Sequence, residues 1–215
     1  MNLRLLKIQG LVVAATLSIA ILLFAAQKHN LGTGPQFRAV VDLTAASTLK
    51  VDLSSPGNTI LVAPAKTGGV WTVDTLPPAR LVAPLAVIEA QHKNFPDSES
   101  LVTMNDVADY EREHGAVPQG ALVLLTAAKE RTTPQFSEDA LHFLVEARNI
   151  VGIGNAGTEV VSSAENRYLA DKGIYELENV ANLSLVPRSG VIAIAAPEKI
   201  NGASEGPVRL MALVR

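Results

Sequence analysis

From Leu81 to the C-terminus, strand-like and helix-like stretches alternate, and nothing else in the chain constrains its fold as strongly. Leu81 to Glu89 (LVAPLAVIE) reads as a strand. Pro84 has no N–H for a ladder, so it belongs at the strand start, an edge or a bulge. Thr103 to His114 (TMNDVADYEREH) reads as a helix, with Thr103 or Asn105 as cap, Asp106 in the first turn and Gly115 as stop. Ala121 to Thr126 (ALVLLT) is an apolar run of the kind found in strands covered on both faces. Ser137 caps a helix reaching about Ala147, and Asn149 to Ile153 is a further strand. A helix over Ala164 to Lys172 is closed by Gly173. Strands follow at Ile174–Leu177, Val191–Ala196 and Pro207–Val214. This order predicts a single α/β domain with part of its sheet parallel. Upstream, Phe37 to Leu43 reads as a strand, and Thr44 to Lys66 as short strands and turns broken by Ser54, Ser55, Pro56, Gly57 and Pro64.

The N-terminus has a different character. Arg4 and Lys7 precede Leu11 to Ala26 (LVVAATLSIAILLFAA), an uncharged apolar stretch. That is the layout of a secretory signal, and counting back to Ile8 makes an uncleaved membrane anchor possible. A buried core helix is the third reading. Residues 1–26 are therefore expected to be a signal peptide or anchor that engages the membrane or the export machinery. Residues 27–36 read as a linker and 37–215 as the folded domain, exported to the periplasm or anchored to the membrane by residues 8–26. Arg4 and Lys7 are the only charges in the first segment, so the formal charge of −3 for the chain becomes −5 for the rest. A chain with no basic excess is not built for nucleic acid. The absence of cysteine excludes disulfides, thiolate metal sites and cysteine nucleophiles.

Individual motifs point weakly to chemistry. The histidines are His29, His92, His114 and His142, and no two of them have metal-ligand spacing. His142 has Glu138 and Glu146 four residues to either side, a face able to hold a metal that reads more simply as a solvated charged stripe. Gly152, Gly154 and Gly157 have dinucleotide-loop spacing, but the next helix begins only near Ala164, so a tight loop is expected. Asn201 to Gly206 (NGASEG) lies between two strands and reads as a hairpin or crossover turn. Ser54, Ser55, Ser162 and Ser163 lack a nucleophile-elbow setting. Glu176 and Glu178 share one face of a strand, which reads as a solvated edge unless one acid is buried and the other paired.

Several stretches occur in an order that resembles the cyclase/kynurenine formamidase (arylformamidase-like) family. They are Asp42-Leu43-Thr44, Trp71 to Pro84, Phe136 to Glu146, Tyr175 to Leu183 (YELENVANL) and Lys199 to Arg209 (KINGASEGPVR). The resemblance runs from about Val40 to the C-terminus. It implies an α/β fold, a single β/β/α swivelling (cyclase-like) domain with a mixed sheet, preceded here by the N-terminal hydrophobic helix. It also implies metal-dependent hydrolysis or dehydrating cyclisation, often of formyl-anilides such as N-formylkynurenine, in a usually dimeric protein.

The family's metal motif, H-x-G-T-H-x-D-x-P-x-H, falls on residues 56–66. Thr59, Ala63 and Pro64 keep its scaffold, while Pro56, Ile60, Val62 and Lys66 stand where His, His, Asp and His would stand. Glu178 retains the family's glutamate, and Asn166, twelve residues earlier, replaces a family histidine. The family's Asp-containing loop corresponds to Gly154-Asn155-Ala156-Gly157. Pro, Ile and Val offer no ligand atom, and a protonated Lys66 repels a cation. The expectation is a non-catalytic relative that binds a small molecule or a partner, with no cofactor. The alternative is an amide hydrolase with a rebuilt site holding zinc or manganese. The implied assembly is a homodimer or a heterodimer with an active cyclase. The resemblance further predicts Ile60 and Val62 next to Glu178 in space.

Overall fold

A computed structural model describes residues 37–45, 58–90, 101–127 and 133–215. The expected signal or anchor, the linker, Ser54, Ser55, Pro56, His29 and His92 lie outside the described residues. Among the described residues, no helix is long and apolar enough to cross a membrane.

Among the described residues the main sheet has eight strands. These are β1 (Ala39–Asp42), β2 (Ile60–Val62), β3 (Val82–Ala90), β5 (Leu122–Ala127), β7 (Gly152–Gly154), β8 (Tyr175–Glu178), β9 (Val191–Pro197) and β10 (Glu205–Val214). The short strands β4 (Leu101–Val102) and β6 (Gln135–Phe136) pair separately. In the order β1-β10-β2-β8-β7-β5-β3-β9, the last strand returns to pair with β10, so all but β1 close into a barrel-like ring. Strands β3, β5, β7 and β8 run parallel, and the other pairings are antiparallel. The expected mixed sheet is therefore present.

Strand periodicity explains why the central strands are apolar throughout. Successive side chains point to opposite faces. Leu122 and Leu124 of β5 join a core cluster inside the ring with Leu61, Leu85, Tyr175, Leu177 and Leu210. Val123 and Leu125 join a second cluster outside it with Ile88, Leu141, Leu144, Ile153 and Leu169. The outer cluster lies under helices α1 (Met104–His114), α2 (Glu138–Arg148) and α3 (Ser163–Asp171). Each fully buried Leu or Ile contributes about 1.5–3 kcal/mol, so both faces of β5 are stabilising.

The local signals mostly hold. Thr103 and Asp106 form a capping box at α1, with the Thr103 N–H donating to Asp106 Oδ2 at 2.8 Å. Pro84 lies where β3 pairs only with β9, before its pairing with β5 begins at Leu85. The Asn201–Gly206 segment connects the antiparallel strands β9 and β10, so it is a hairpin. Two expectations are corrected. Asn149 is the left-handed C-cap of α2, with φ 48°, and the strand starts only at Gly152. The Gly152/Gly154 pair serves packing: a Cβ on Gly152 would lie 2.5 Å from a Tyr175 ring carbon, and α3 starts only at Ser163.

Candidate functional site

The site face is set by strand register. Ile60 lies opposite Glu178 and Val62 opposite Glu176 in the β2–β8 pair. On the other side of β2, Glu205 lies opposite Val62 and Pro207 opposite Ile60. Leu61 and Leu177 point into the inner core, so their neighbours Ile60, Val62, Glu176 and Glu178 face outward. The predicted proximity to Glu178 is direct cross-strand pairing for Ile60, while Val62 lies two positions along on the same face, opposite Glu176. A cavity of about 110 Å³ opens over this face, lined by Val62, Lys66, Thr67, Asn166, Glu176 and Glu178 together with residues 158–161.

Short-range chemistry places the lid of this cavity. Pro64 starts a 3-10 turn over Pro64–Thr67, and Gly68 ends it at φ 97°. The turn packs closely on α3: Thr67 Oγ1 donates to the Asn166 carbonyl at 3.2 Å, and a Cβ on Gly69 would lie 2.6 Å from the Ala170 carbonyl oxygen. Thr59, one of the scaffold residues, is buried and bridges two loops. Its hydroxyl accepts the Ala45 N–H at 2.7 Å and donates to the Asn179 carbonyl at 2.9 Å.

The cavity is electrostatically loaded. Burial pushes the Glu176 carboxyl up to about 7, Glu178 adds to the rise, and Lys66 opposes it. Burial also raises Glu178, against Lys66, with Glu205 pushing the same way as burial. The Lys66 ammonium forms an ion pair with Glu205. The reading of Glu176 and Glu178 as a solvated edge is therefore corrected: β8 is an inner strand between β2 and β7, and that burial is what moves the two carboxyls. Near neutrality Glu176 can hold or release a proton.

The other candidates are accounted for. Asn155 is fully buried, and its side-chain amide donates to the Pro134 and Glu159 carbonyls at 2.8 and 2.7 Å while its oxygen accepts the Gly157 N–H at 2.8 Å. It builds the loop and lends no group to the cavity. His114 tilts against Tyr110 at the end of α1. His142 is more than part of a solvated stripe. Its Nε2 lies 3.1 Å from Glu165 Oε2 of α3, and its ring stacks on Tyr168 at 4.1 Å between centroids. Glu138, His142 and Glu165 bring one ligand atom each within 4.8 Å of one another. Sequence reading missed Glu165 because it comes from a different helix.

The family's ion does not fit where the resemblance would place it. Ile60 and Val62 present hydrocarbon, and Lys66 presents a positive charge. Pro56 lies outside the described residues. Among the described residues, the donor set able to take a divalent ion is the Glu138–His142–Glu165 group between α2 and α3.

A family model described as "Putative cyclase" matches residues 17–160. This chain belongs to the cyclase family. Isatin hydrolase of Roseibium aggregatum is 29% identical over 167 residues, which is 66% of this chain and 63% of that protein. The chain thus spans 63% of the length of that curated relative. The structure of isatin hydrolase A from Labrenzia aggregata bound to benzyl benzoate superposes with a TM-score of 0.67 at 25% identity, covering 82% of this chain and 93% of that one. A potential metal-dependent hydrolase with cyclase activity has the same fold at a TM-score of 0.64 and 22% identity, covering 82% of this chain and 98% of that one. These findings overturn the expectation of no cofactor. A protein of the same fold is described as metal-dependent, and this cyclase-family chain has a three-residue group that can hold a metal.

Proposed function

We propose that this cyclase-family chain binds a small molecule in the Lys66–Glu176–Glu178 cavity and does not run metal-assisted amide hydrolysis at that place. One observation carries the reading: the β2–β8 register sets Ile60 and Val62, which have no ligand atoms, on the sheet face over which the cavity opens, and Val62 lines it. A Lewis acid that polarises a carbonyl and lowers the pKa of a bound water needs several donors converging on one point, and the motif positions on β2 add none to the Glu176 and Glu178 carboxyls. The test is hydrolysis of isatin and of N-formylkynurenine by the whole chain, with and without added manganese or zinc. The expected result is no turnover above the uncatalysed rate. Metal-stimulated turnover abolished by Glu176→Gln would overturn the reading.

A second reading, an amide hydrolase with a rebuilt metal site, is favoured by the Glu138–His142–Glu165 group. It has the mixed nitrogen and oxygen donors that suit zinc or manganese. Metal content of the purified chain and of His142→Ala separates the two readings. Stoichiometric metal lost on substitution, with turnover lost alongside it, would establish the second.

A further inference from the structure

The antiparallel part of the sheet carries an apolar outer face that lies apart from the helical layer. Register aligns Val40 of β1, Leu213 of β10, Ile192 of β9 and Pro84 of β3 in one row across four strands. The next row is Asp42, Met211, Ile194 and Val82. Directly opposite residues share a face. Their chain neighbours Val41, Leu210, Ala193 and Ala83 turn toward the inner core. None of the apolar side chains in the two rows belongs to either core cluster, and the three helices lie over the outer one. Val40 is 60% exposed and Val82 53%. Strands stand about 4.8 Å apart and alternate residues about 6.8 Å apart, so the rows cover roughly 300 Å² in projection. Exposed apolar patches of this size and above mark interaction sites. A standard interface takes about 800 Å² from each partner, with an apolar centre and a polar rim. The two rows have the size of such a centre.

We infer that a second copy of this chain packs on this face, sheet on sheet, with the strands of the two copies antiparallel. The rim decides the partner, because its two ends carry opposite charge. Arg38 stands two positions before Val40, exposed and without an ion pair among the described residues. At the other end Glu198 continues the β9–β10 register, its N–H donating to the Pro207 carbonyl at 3.1 Å. Glu198 is likewise exposed and without an ion pair among the described residues. Between the two ends Arg209 donates to Asp42 at 2.8 Å, so those charges are already matched within one copy. A two-fold axis lying across the strands sets the Arg38 end of one copy over the Glu198 end of the other. The same patch then serves both copies, as a closed dimer requires. A surface of uniform sign would oppose one of the two ends. An anionic lipid surface in particular would meet Glu198 and a chain of formal charge −3. The inference does not rest on the Lys66 cavity and stands whether or not that cavity holds a ligand.

The experiment is sedimentation velocity on the full chain from about 1 to about 100 µM, the range in which weak interfaces dissociate. Wild type passes from monomer to dimer across this range. Ile194→Lys, at the centre of the face, weakens dimerisation about tenfold or more, because the two-fold brings two unpaired ammonium groups into one contact. Val40→Lys weakens it in the same way at a position 60% exposed, where the folded monomer has room for the longer chain. Val70→Lys replaces an apolar side chain 89% exposed outside the face and leaves dimerisation unchanged. Circular dichroism and a urea midpoint equal to wild type establish that each variant is folded. A wild type that stays monomeric throughout would overturn the inference, and if that monomer sediments with phosphatidylglycerol vesicles the face serves a lipid instead. Equal association of wild type and both face variants would also overturn it, because the contact then lies elsewhere in the chain, residues 1–36 included. So would a Val70→Lys loss as large as that of Ile194→Lys.

Discussion

Glu176 shows how the site works at the scale of one residue. Its carboxyl goes from an ordinary value of 4.5 to about 7 because it is buried beside Glu178. A folded pKa above the unfolded one means the native state holds the extra proton. Native stability then falls as pH rises from about 4.5 through 7, and the penalty is full above that range. A shift of this size corresponds to at most about 3 kcal/mol, less whatever water screens at the cavity mouth. Glu176→Gln removes the titration. Its urea midpoint should match wild type near pH 4 and exceed it at pH 8. Equal midpoints at both pH values would show that Glu176 titrates normally. The proximity of Ile60 and Val62 to Glu178 was legible through the family resemblance, and the register that pairs Val62 with Glu176 came only from the structure. The Lys66–Glu205 pair was not, because 139 residues separate the partners.

At the scale of elements, the cavity depends on how closely the Pro64–Thr67 turn approaches α3. Gly69 permits that approach, since a Cβ there would lie 2.6 Å from the Ala170 carbonyl oxygen and 2.7 Å from Pro64 Cβ. Gly69→Ala should cost about 1–3 kcal/mol by overpacking. It should also draw Lys66 back from Glu176. Because Lys66 lowers the Glu176 pKa, that pKa should rise further, which a carboxyl-carbon NMR titration would read. A stability loss with an unmoved titration would mean the turn and Lys66 are not mechanically linked. Apolar periodicity made β3, β5, β9, β10 and the three helices readable. Asn149 was misread because a left-handed cap directly before an apolar pair resembles a strand start. The strand that follows spans only Gly152–Gly154, and glycine carries no periodic signal.

At the scale of the whole molecule, β10 closes the barrel. It pairs with β9 on one side and with both β1 and β2 on the other. The last strand therefore joins the first strands of the domain, and the ring is complete only when both ends of the folded body are in place. Leu210 is fully buried on the inner face of this strand. Leu210→Ala should cost about 2–5 kcal/mol. The single tryptophan, Trp71, packs against the same inner core, while the helices cover the outer one. Its fluorescence and the helical circular dichroism should therefore shift together along urea. Separate transitions would mean that the barrel and its helical layer unfold independently.

The sequence by itself determined the alternation of strands and helices, the two-faced burial of the central strands, the capping of α1 and the family. These follow from local backbone geometry and side-chain period, which act between residues a few positions apart. Only the tertiary structure decided the barrel closure, the partner of Lys66, the joining of Glu165 to Glu138 and His142, and the raised Glu176. Those depend on which distant strands and helices meet. A carboxyl's proton affinity is set by burial and by charges that the fold brings near it, not by its neighbours along the chain.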